Sequence, residues 1–251
     1  MESETLDRRS TAGITIHHSF FNQLRVAITG GTSGLGLALV REFSARGARV
    51  ALLARHVEAV AEVEFENKNT HGIVADVSHK DDIYPAALQI LGELGGLEIL
   101  INNASDLGPV PLALLADTNC EDFEKAMATN VLGPFRLSKA LLGALSASAR
   151  EGRSALVVNV SSDAAVTAYP KWGAYGASKA ALRHMTEIWN QELSAEGIHF
   201  LSFDPGDMDT PMHAIAIPEA DRTTLKAPEI AARELIAAIE TALTRAPFKS
   251  E

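Results

Sequence analysis

The stretch Leu24-Arg25-Val26-Ala27-Ile28-Thr29-Gly30-Gly31-Thr32-Ser33-Gly34-Leu35-Gly36 decides the fold. Leu24–Thr29 is a short apolar run of the kind that forms a strand buried on both faces. Glycines end it, and Gly34–Arg46 then carries an apolar stripe through Leu35, Leu39 and Phe43 at helical spacing. A glycine-rich turn between strand and helix lets the backbone approach a pyrophosphate, which sits at the helix N-terminus among unpaired N–H groups. The spacing is Gly-x3-Gly-x-Gly, not the commoner Gly-x-Gly-x2-Gly. An ordinary strand-to-helix turn is the other reading of such a cluster, and the flanking strand and helix patterns weigh against it.

The same alternation continues in both directions from this turn. Arg49–Ala54 resumes as strand after the helix stop at Gly47, and further strands are predicted near Gly72–Asp76, Leu97–Asn102, Ala155–Ser161 and Ile198–Phe203. Helices are predicted near Val57–Glu66, Asp81–Leu94, Cys120–Leu145, Trp172–Ala195 and Pro228–Leu243. Nearly continuous apolar strands separated by helices imply parallel βαβ units with right-handed crossovers. The fold class is therefore α/β, a Rossmann-type doubly wound parallel sheet flanked by helices, with ligands at the carboxyl ends of the strands. Residues 1–22 read as an N-terminal extension, and residues 23–251 as a single dinucleotide-binding catalytic domain. Gly133-Pro134 falls inside the Cys120–Leu145 helix. Pro134 has no N–H for the carbonyl of Asn130, so a kink is expected there, leaving that main-chain oxygen free to hold a water towards Lys179.

Composition narrows the function classes. With 22 Lys and Arg against 32 Asp and Glu, the net charge of −10 argues against a sequence-independent nucleic-acid grip and against anionic membrane surfaces. No apolar run approaches the ~20 residues of a membrane span. Cys120 is the only cysteine, which excludes an intrachain disulfide and fits a reducing, cytoplasmic compartment. No His, Cys or Asp cluster has metal-ligand spacing, so no metal is expected.

Tyr175 and Lys179 lie four apart, on one face of a predicted helix. An ammonium near a phenol favours phenolate and lowers the tyrosine pKa from ~10 towards working pH. Such a group can exchange a proton with a substrate oxygen. An exposed i,i+4 pair is the bland alternative. Ser162 tips the balance, because it ends a strand thirteen positions before Tyr175, and strand end and following helix both face the ligand crevice.

Together these residues resemble the short-chain dehydrogenase/reductase family, from about Leu24 to Thr210. The family's Thr-Gly-x3-Gly-x-Gly turn matches Thr29 to Gly36, which includes Gly30, Thr32, Ser33, Gly34 and Leu35. Its adenine-side Asp matches Asp76, followed by Val77, and its Asn-Asn-Ala segment matches Asn102, Asn103 and Ala104. Asn130, Ser162, Tyr175 and Lys179 match its catalytic positions, and Pro205, Gly206 and Thr210 its nicotinamide-side segment. The resemblance implies Tyr175 as general acid in reduction and base in oxidation. It implies Lys179 as the group that tunes Tyr175 and holds the nicotinamide ribose, Ser162 as a hydrogen-bond partner of the substrate oxygen, and Asn130 as the holder of a relay water.

Two departures stand out. Ser105 occupies the place of a frequent glycine, where it changes the polarity of the pocket rim, and the usual seventh strand is missing or irregular. Ala54-Arg55 replaces the acidic residue that would bind both ribose hydroxyls of NAD, so NADP(H) is favoured over NAD(H), with Arg55 on the 2′-phosphate. The expected function is NAD(P)-dependent hydride transfer to or from a small-molecule carbonyl or alcohol, by a homo-oligomer that is at least a dimer. A non-catalytic cofactor-binding sensor is the alternative, disfavoured by retention of Tyr175 and Lys179. The rim residues mix small side chains with Tyr169, Trp172, Met208 and Met212, and His213 reads as a solvated loop residue.

Overall fold

The computed structural model describes residues 21–245. Among them six strands form one parallel sheet: β1 (Arg25–Thr29), β2 (Arg49–Ala54), β3 (Thr70–Val74), β4 (Ile99–Asn102), β5 (Leu156–Val160) and β6 (His199–Phe203). Their order is β3-β2-β1-β4-β5-β6. The chain runs outward from β1 in one direction and then restarts on the other side with β4, so the order reverses between these two strands. In open parallel sheets that reversal opens a crevice at the carboxyl ends.

Alternate residues of each strand enter different cores, as the two-residue period of a strand requires. On one face Val26, Ile28, Val50, Leu52, Ile99 and Val158 meet Leu39 and Phe43 of α1 (Gly34–Ala45) and Leu235 and Ile239 of α8 (Pro228–Arg245). On the other, Ala27, Ala51, Leu53, Leu100 and Val157 meet Ile83 and Ile90 of α3 (Lys80–Leu94) and Leu137 and Leu141 of α5 (Gly133–Arg150). Each Val, Leu, Ile or Phe among them, fully buried, contributes ~1.5–3 kcal/mol relative to exposure. This two-sided burial explains why the strands read as apolar runs.

Several sequence expectations are refined. The third strand lies two residues earlier than Gly72–Asp76, at Thr70–Val74. Its register on β2, Val50 with Thr70 through Ala54 with Val74, sets these limits, and the polar Thr70 and His71 concealed its start. The long Cys120–Leu145 helix is broken near Asn130, as Pro134 implies. The break takes the form of a π-helical turn over Ala128–Leu132 between α4 (Cys120–Met127) and α5, and Pro134 sits in the first turn of α5. Such one-turn widenings concentrate at functional sites. The helix carrying Tyr175 and Lys179 is α6 (Gly173–Leu193). α2 (Val57–Glu66) follows β2 as expected. A six-residue helix, α7 (Pro211–Ala216), was not legible in the sequence. Phe21, at the end of the expected extension, is fully buried and meets Phe43 edge to face at 5.7 Å. Residues 1–20 of that extension lie outside the described residues. Among the described residues no helix is long and apolar enough to cross a membrane.

Candidate active site

Two sets of polar groups hold the strand ends that frame the crevice. At the end of β1, the Thr29 hydroxyl accepts from the main-chain N–H groups of Asn103 and Ala104, both at 3.0 Å. The Asn103 amide in turn donates to the carbonyls of Thr29 at 2.9 Å and Gly30 at 3.2 Å. One layer deeper, Asn102 donates to Asn159 at 2.8 Å and to Ser138 of α5 at 3.2 Å, and Asn159 donates to Thr186 of α6 at 2.8 Å. β4 and β5 are thereby tied to α5 and α6. Asn159 carries no sequence signal as a site-building residue.

The glycine turn is shaped by close approach. Gly30 has φ +67° and Gly34 φ +51°, in the left-handed region that side chains avoid. A Cβ on Gly36 would stand 2.1 Å from the Gly30 carbonyl oxygen and 2.6 Å from the Asn103 amide nitrogen. Ser33 precedes α1 in extended conformation and makes no side-chain cap. The first N–H groups of α1 therefore face the crevice uncapped by Ser33, which suits an anionic group.

A cavity of about 790 Å³ runs along the crevice. At one end it is lined by Gly30, Thr32, Ser33, Gly34 and Leu35, with Arg55, Asp76 and Val77 beside them. Asn103 and Ala104 line its middle, and Ser162, Tyr175, Lys179, Pro205, Gly206 and Thr210 its other end. Of the residues expected from sequence, Gly36, Asn102 and Asn130 stand behind the wall, all buried. The rim adds Ser105, Leu107, Tyr169, Trp172, Met208 and Met212. His213 also lines the cavity, on α7 and half-buried, so it is not the solvated loop residue expected. Among the described residues no cluster of three or more His, Cys, Asp or Glu is placed to hold a metal.

At the first end, the Asp76 carboxylate accepts from the Ser78 N–H at 2.9 Å and hydroxyl at 2.7 Å, and Arg55 lies 3.8 Å away. Burial raises the Asp76 pKa, but the Ser78 bonds and Arg55 outweigh it and hold the carboxyl below its usual range. Arg55 itself is more than half exposed. This contact is long and largely exposed, and therefore weak.

At the other end, Ser162 accepts from the Ala164 N–H at 3.2 Å and donates to Asp163 at 3.1 Å. Tyr169 donates to the same carboxylate at 2.7 Å. The Tyr175 ring meets Trp172 edge to face at 5.5 Å. Lys179 is almost wholly buried, donates to the Val160 carbonyl at 2.8 Å and stands 5.5 Å from the centre of the Tyr175 ring. Burial pushes the Tyr175 phenol up to about 12, against the hydrogen-bonding pull of Ser162 and Ser105 and with the help of Asp204 and Asp163. Burial also pulls Lys179 down to about 8. In the protein without cofactor, burial rather than Lys179 sets the direction of the Tyr175 pKa.

Asn130 is fully buried, and its side-chain amide is completely used. Oδ1 accepts from the Asp106 N–H at 2.8 Å and the Ser105 hydroxyl at 3.0 Å, while Nδ2 donates to the Asp106 carbonyl and the Ser178 hydroxyl, both at 2.8 Å. Ser178 passes the link to the Tyr175 carbonyl at 2.7 Å. The asparagine therefore fastens the loop after β4 to the turn of α6 that carries Tyr175. Neither Asp106 nor Ser178 carried a sequence signal for this role.

Residues 25–220 match the family model described as short chain dehydrogenase. The chain is 34% identical over 194 residues to a 2-(R)-hydroxypropyl-CoM dehydrogenase of Xanthobacter autotrophicus, covering 75% of this chain and 76% of that one. It is 35% identical over 188 residues to a 3-dehydrosphinganine reductase of Arabidopsis thaliana, covering 74% of this chain and 55% of the relative. Among solved structures, a 3-ketoacyl-(acyl-carrier-protein) reductase of Brucella melitensis complexed with NADH superposes with a TM-score of 0.79 at 24% identity, covering 86% of this chain and 90% of that one. An alcohol dehydrogenase of Thermococcus sibiricus complexed with 5-hydroxy-NADP gives 0.76 at 25%, covering 86% and 91%.

The Asn130 network makes a stability prediction. Asn130→Ala strands the Asp106 N–H and carbonyl and leaves Ser178 one partner short, so unfolding free energy is expected to drop by about 2–4 kcal/mol. Urea denaturation checks this, and a midpoint within error of the parent protein would show that the network does not hold the loop.

Proposed function

Because the chain belongs to the short-chain dehydrogenase/reductase family, we propose that it transfers hydride between NADP(H) and a carbonyl or secondary alcohol, with Tyr175 as acid and base. The observation that carries this reading is the convergence of Ser162, Tyr175 and Lys179 on the same cavity that the glycine turn opens into. The residues fit a dinucleotide: uncapped N–H groups of α1 beside a turn where a side chain on Gly36 would collide receive the pyrophosphate. Asp76 and Val77 flank the adenine end, Asn103 and Ala104 the middle, and Pro205, Gly206 and Thr210 the nicotinamide end. When bound, the nicotinamide donates or accepts the hydride, and its oxidised form adds a positive charge that favours phenolate at Tyr175.

Within this reading Ser162 orients the substrate oxygen, and Tyr175 gives it a proton in reduction or takes one in oxidation. Lys179 holds the ribose from its buried place below the tyrosine. The Asn130 main-chain carbonyl, opposite the missing N–H of Pro134, is the acceptor for a water that links Lys179 to solvent. Met208, Met212, Leu107 and Trp172 around the substrate end suit an apolar or moderately polar carbonyl compound. Preference for NADP(H) over NAD(H) rests on Arg55, which lines the adenine end with no carboxylate at Ala54 beside it.

A panel of ketones, aldehydes and secondary alcohols followed by NADPH absorbance tests the activity. Tyr175→Phe is expected to keep cofactor binding and lose turnover by ~10²-fold or more. Equal turnover in the variant would refute the acid–base role, and cofactor binding with no turnover on any compound would favour a sensor.

Arg55→Ala is expected to weaken NADPH more than NADH, by ~1.5–3 kcal/mol. Dissociation constants for both cofactors decide this, and equal losses would remove Arg55 from 2′-phosphate recognition.

The assembly proposed is at least a dimer, through the outer faces of α4, α5 and α6, where Leu115, Leu132 and Ile188 stand exposed nearby. Light scattering at micromolar concentration reads the mass directly. A monomer would contradict it.

A further inference from the structure

Ser105 follows the Asn-Asn-Ala segment and lines the cavity at the Tyr175 end. Its hydroxyl is engaged on one side only. It donates to Asn130 Oδ1 at 3.0 Å, it faces the same cavity as Tyr175, and it is one of two hydroxyls whose hydrogen bonding lowers the Tyr175 pKa against burial. The direction of the Asn130 bond is settled by the rest of the network. Both Nδ2 hydrogens are spent, on the Asp106 carbonyl and Ser178, and Ser178 gives its own hydrogen to the Tyr175 carbonyl. Flipping the amide would set its oxygen against the Asp106 carbonyl and its NH₂ against the Asp106 N–H. Asn130 Oδ1 is therefore an acceptor, and Ser105 is its donor.

That acceptor has a second donor, the Asp106 N–H at 2.8 Å. It stays satisfied if Ser105 turns away. We propose that the Ser105 hydroxyl is a two-position switch, donating to Asn130 while Tyr175 is a neutral phenol and turning to donate to the phenolate once Tyr175 has given its proton to the substrate oxygen. The inference rests on the acid–base role proposed above for Tyr175. In the reducing direction the carbonyl carbon gains hydride, the carbonyl oxygen takes the phenolic proton, and Tyr175 is left as phenolate until solvent reprotonates it. Ser105 keeps its own proton throughout and changes only the atom it points to.

The rotation exchanges a neutral hydrogen bond for one to an anion, which is roughly twice as strong. The exchange carries weight here because burial opposes the phenolate: it drives the Tyr175 phenol up to about 12, and Ser162 and Ser105 are the hydroxyls that pull against it. Ser162 already points at Asp163, at 3.1 Å, and must also serve the substrate oxygen. Ser105 has no other duty in the cavity. It is the hydroxyl free to follow the charge on Tyr175.

The test is the pH dependence of kcat in the alcohol-oxidising direction with saturating cofactor, for the parent protein, Ser105→Ala, Ser105→Thr and Tyr175→Phe. Tyr175 must be deprotonated to act as base, so kcat rises with pH through its apparent pKa, and a raised pKa moves that limb upward. Ser105→Ala is expected to move the limb up by about one unit and to lower kcat ~10-fold below it, with little change in KM. Ser105→Thr, which keeps the hydroxyl, is expected to restore the parent position. A limb that stays in place in Ser105→Ala, or moves equally in Ser105→Thr, overturns the proposal while leaving the Tyr175 role intact. A parent protein whose limb survives in Tyr175→Phe overturns both.

Discussion

The carbonyl oxygens of Thr29 and Gly30, at the end of the central strand, both depend on the side-chain amide of Asn103. That interaction follows from the sheet itself. β1 has neighbours on both sides up to its last residues, and then its two neighbours diverge, because the chain order reverses between β1 and β4. Main-chain groups at such a reversal lose their ladder partners, and buried polar groups without partners cost ~1–3 kcal/mol each. Asn103 and the Thr29 hydroxyl supply the missing partners across the gap. In doing so they fix how far the crevice opens and where the glycine turn hangs over it. Gly36 has no room for a side chain because the same amide and the Gly30 carbonyl occupy that space.

From this clamp the geometry passes to the reacting end through polar contacts between strand ends and helices. Asn102, Asn159 and Thr186 tie β4 and β5 to α6, and Asn130 ties the loop after β4 to the turn that carries Tyr175. The consequence is electrostatic as well as geometric. A phenol and an ammonium are held inside a largely apolar domain, and burial favours the neutral form of each, raising one and lowering the other. The protein alone thus holds Tyr175 as a neutral phenol. Making it a base requires positive charge and hydroxyl donors close to the phenolic oxygen, which is where an oxidised nicotinamide, Ser162 and Ser105 enter the account.

The sheet was legible because five of its strands are apolar runs and its helices carry stripes of the right period. β3 was placed late because it opens with Thr70 and His71 and owes its register to β2 rather than to its own composition. Pro134 announced a break near Asn130, but a π-helical turn leaves the same sequence trace as a kink. α7 is too short for a periodic pattern, so its side chains in the cavity, His213 among them, could not be placed. The proposed catalytic positions are legible because their residue types and order match the family pattern. The contacts of Asn130 with Ser105, Asp106 and Ser178 join residues 24 to 48 positions apart, and no local pattern encodes them. The direction that burial gives the Tyr175 pKa is illegible for a related reason. The spacing to Lys179 is written in the sequence, whereas the depth at which both groups are buried is a property of the packed domain.

The central claim is that hydride and proton reach one carbonyl group from opposite partners in a single cavity. Its most direct measurement follows isotope rather than rate: NADPH deuterated at the transferable position is incubated with an active carbonyl compound, and the alcohol product is analysed by NMR and mass spectrometry. The account predicts one deuterium on the carbinol carbon, in a single configuration, with the hydroxyl proton drawn from solvent through Tyr175. Product lacking deuterium at that carbon, or carrying it in both configurations, would contradict it.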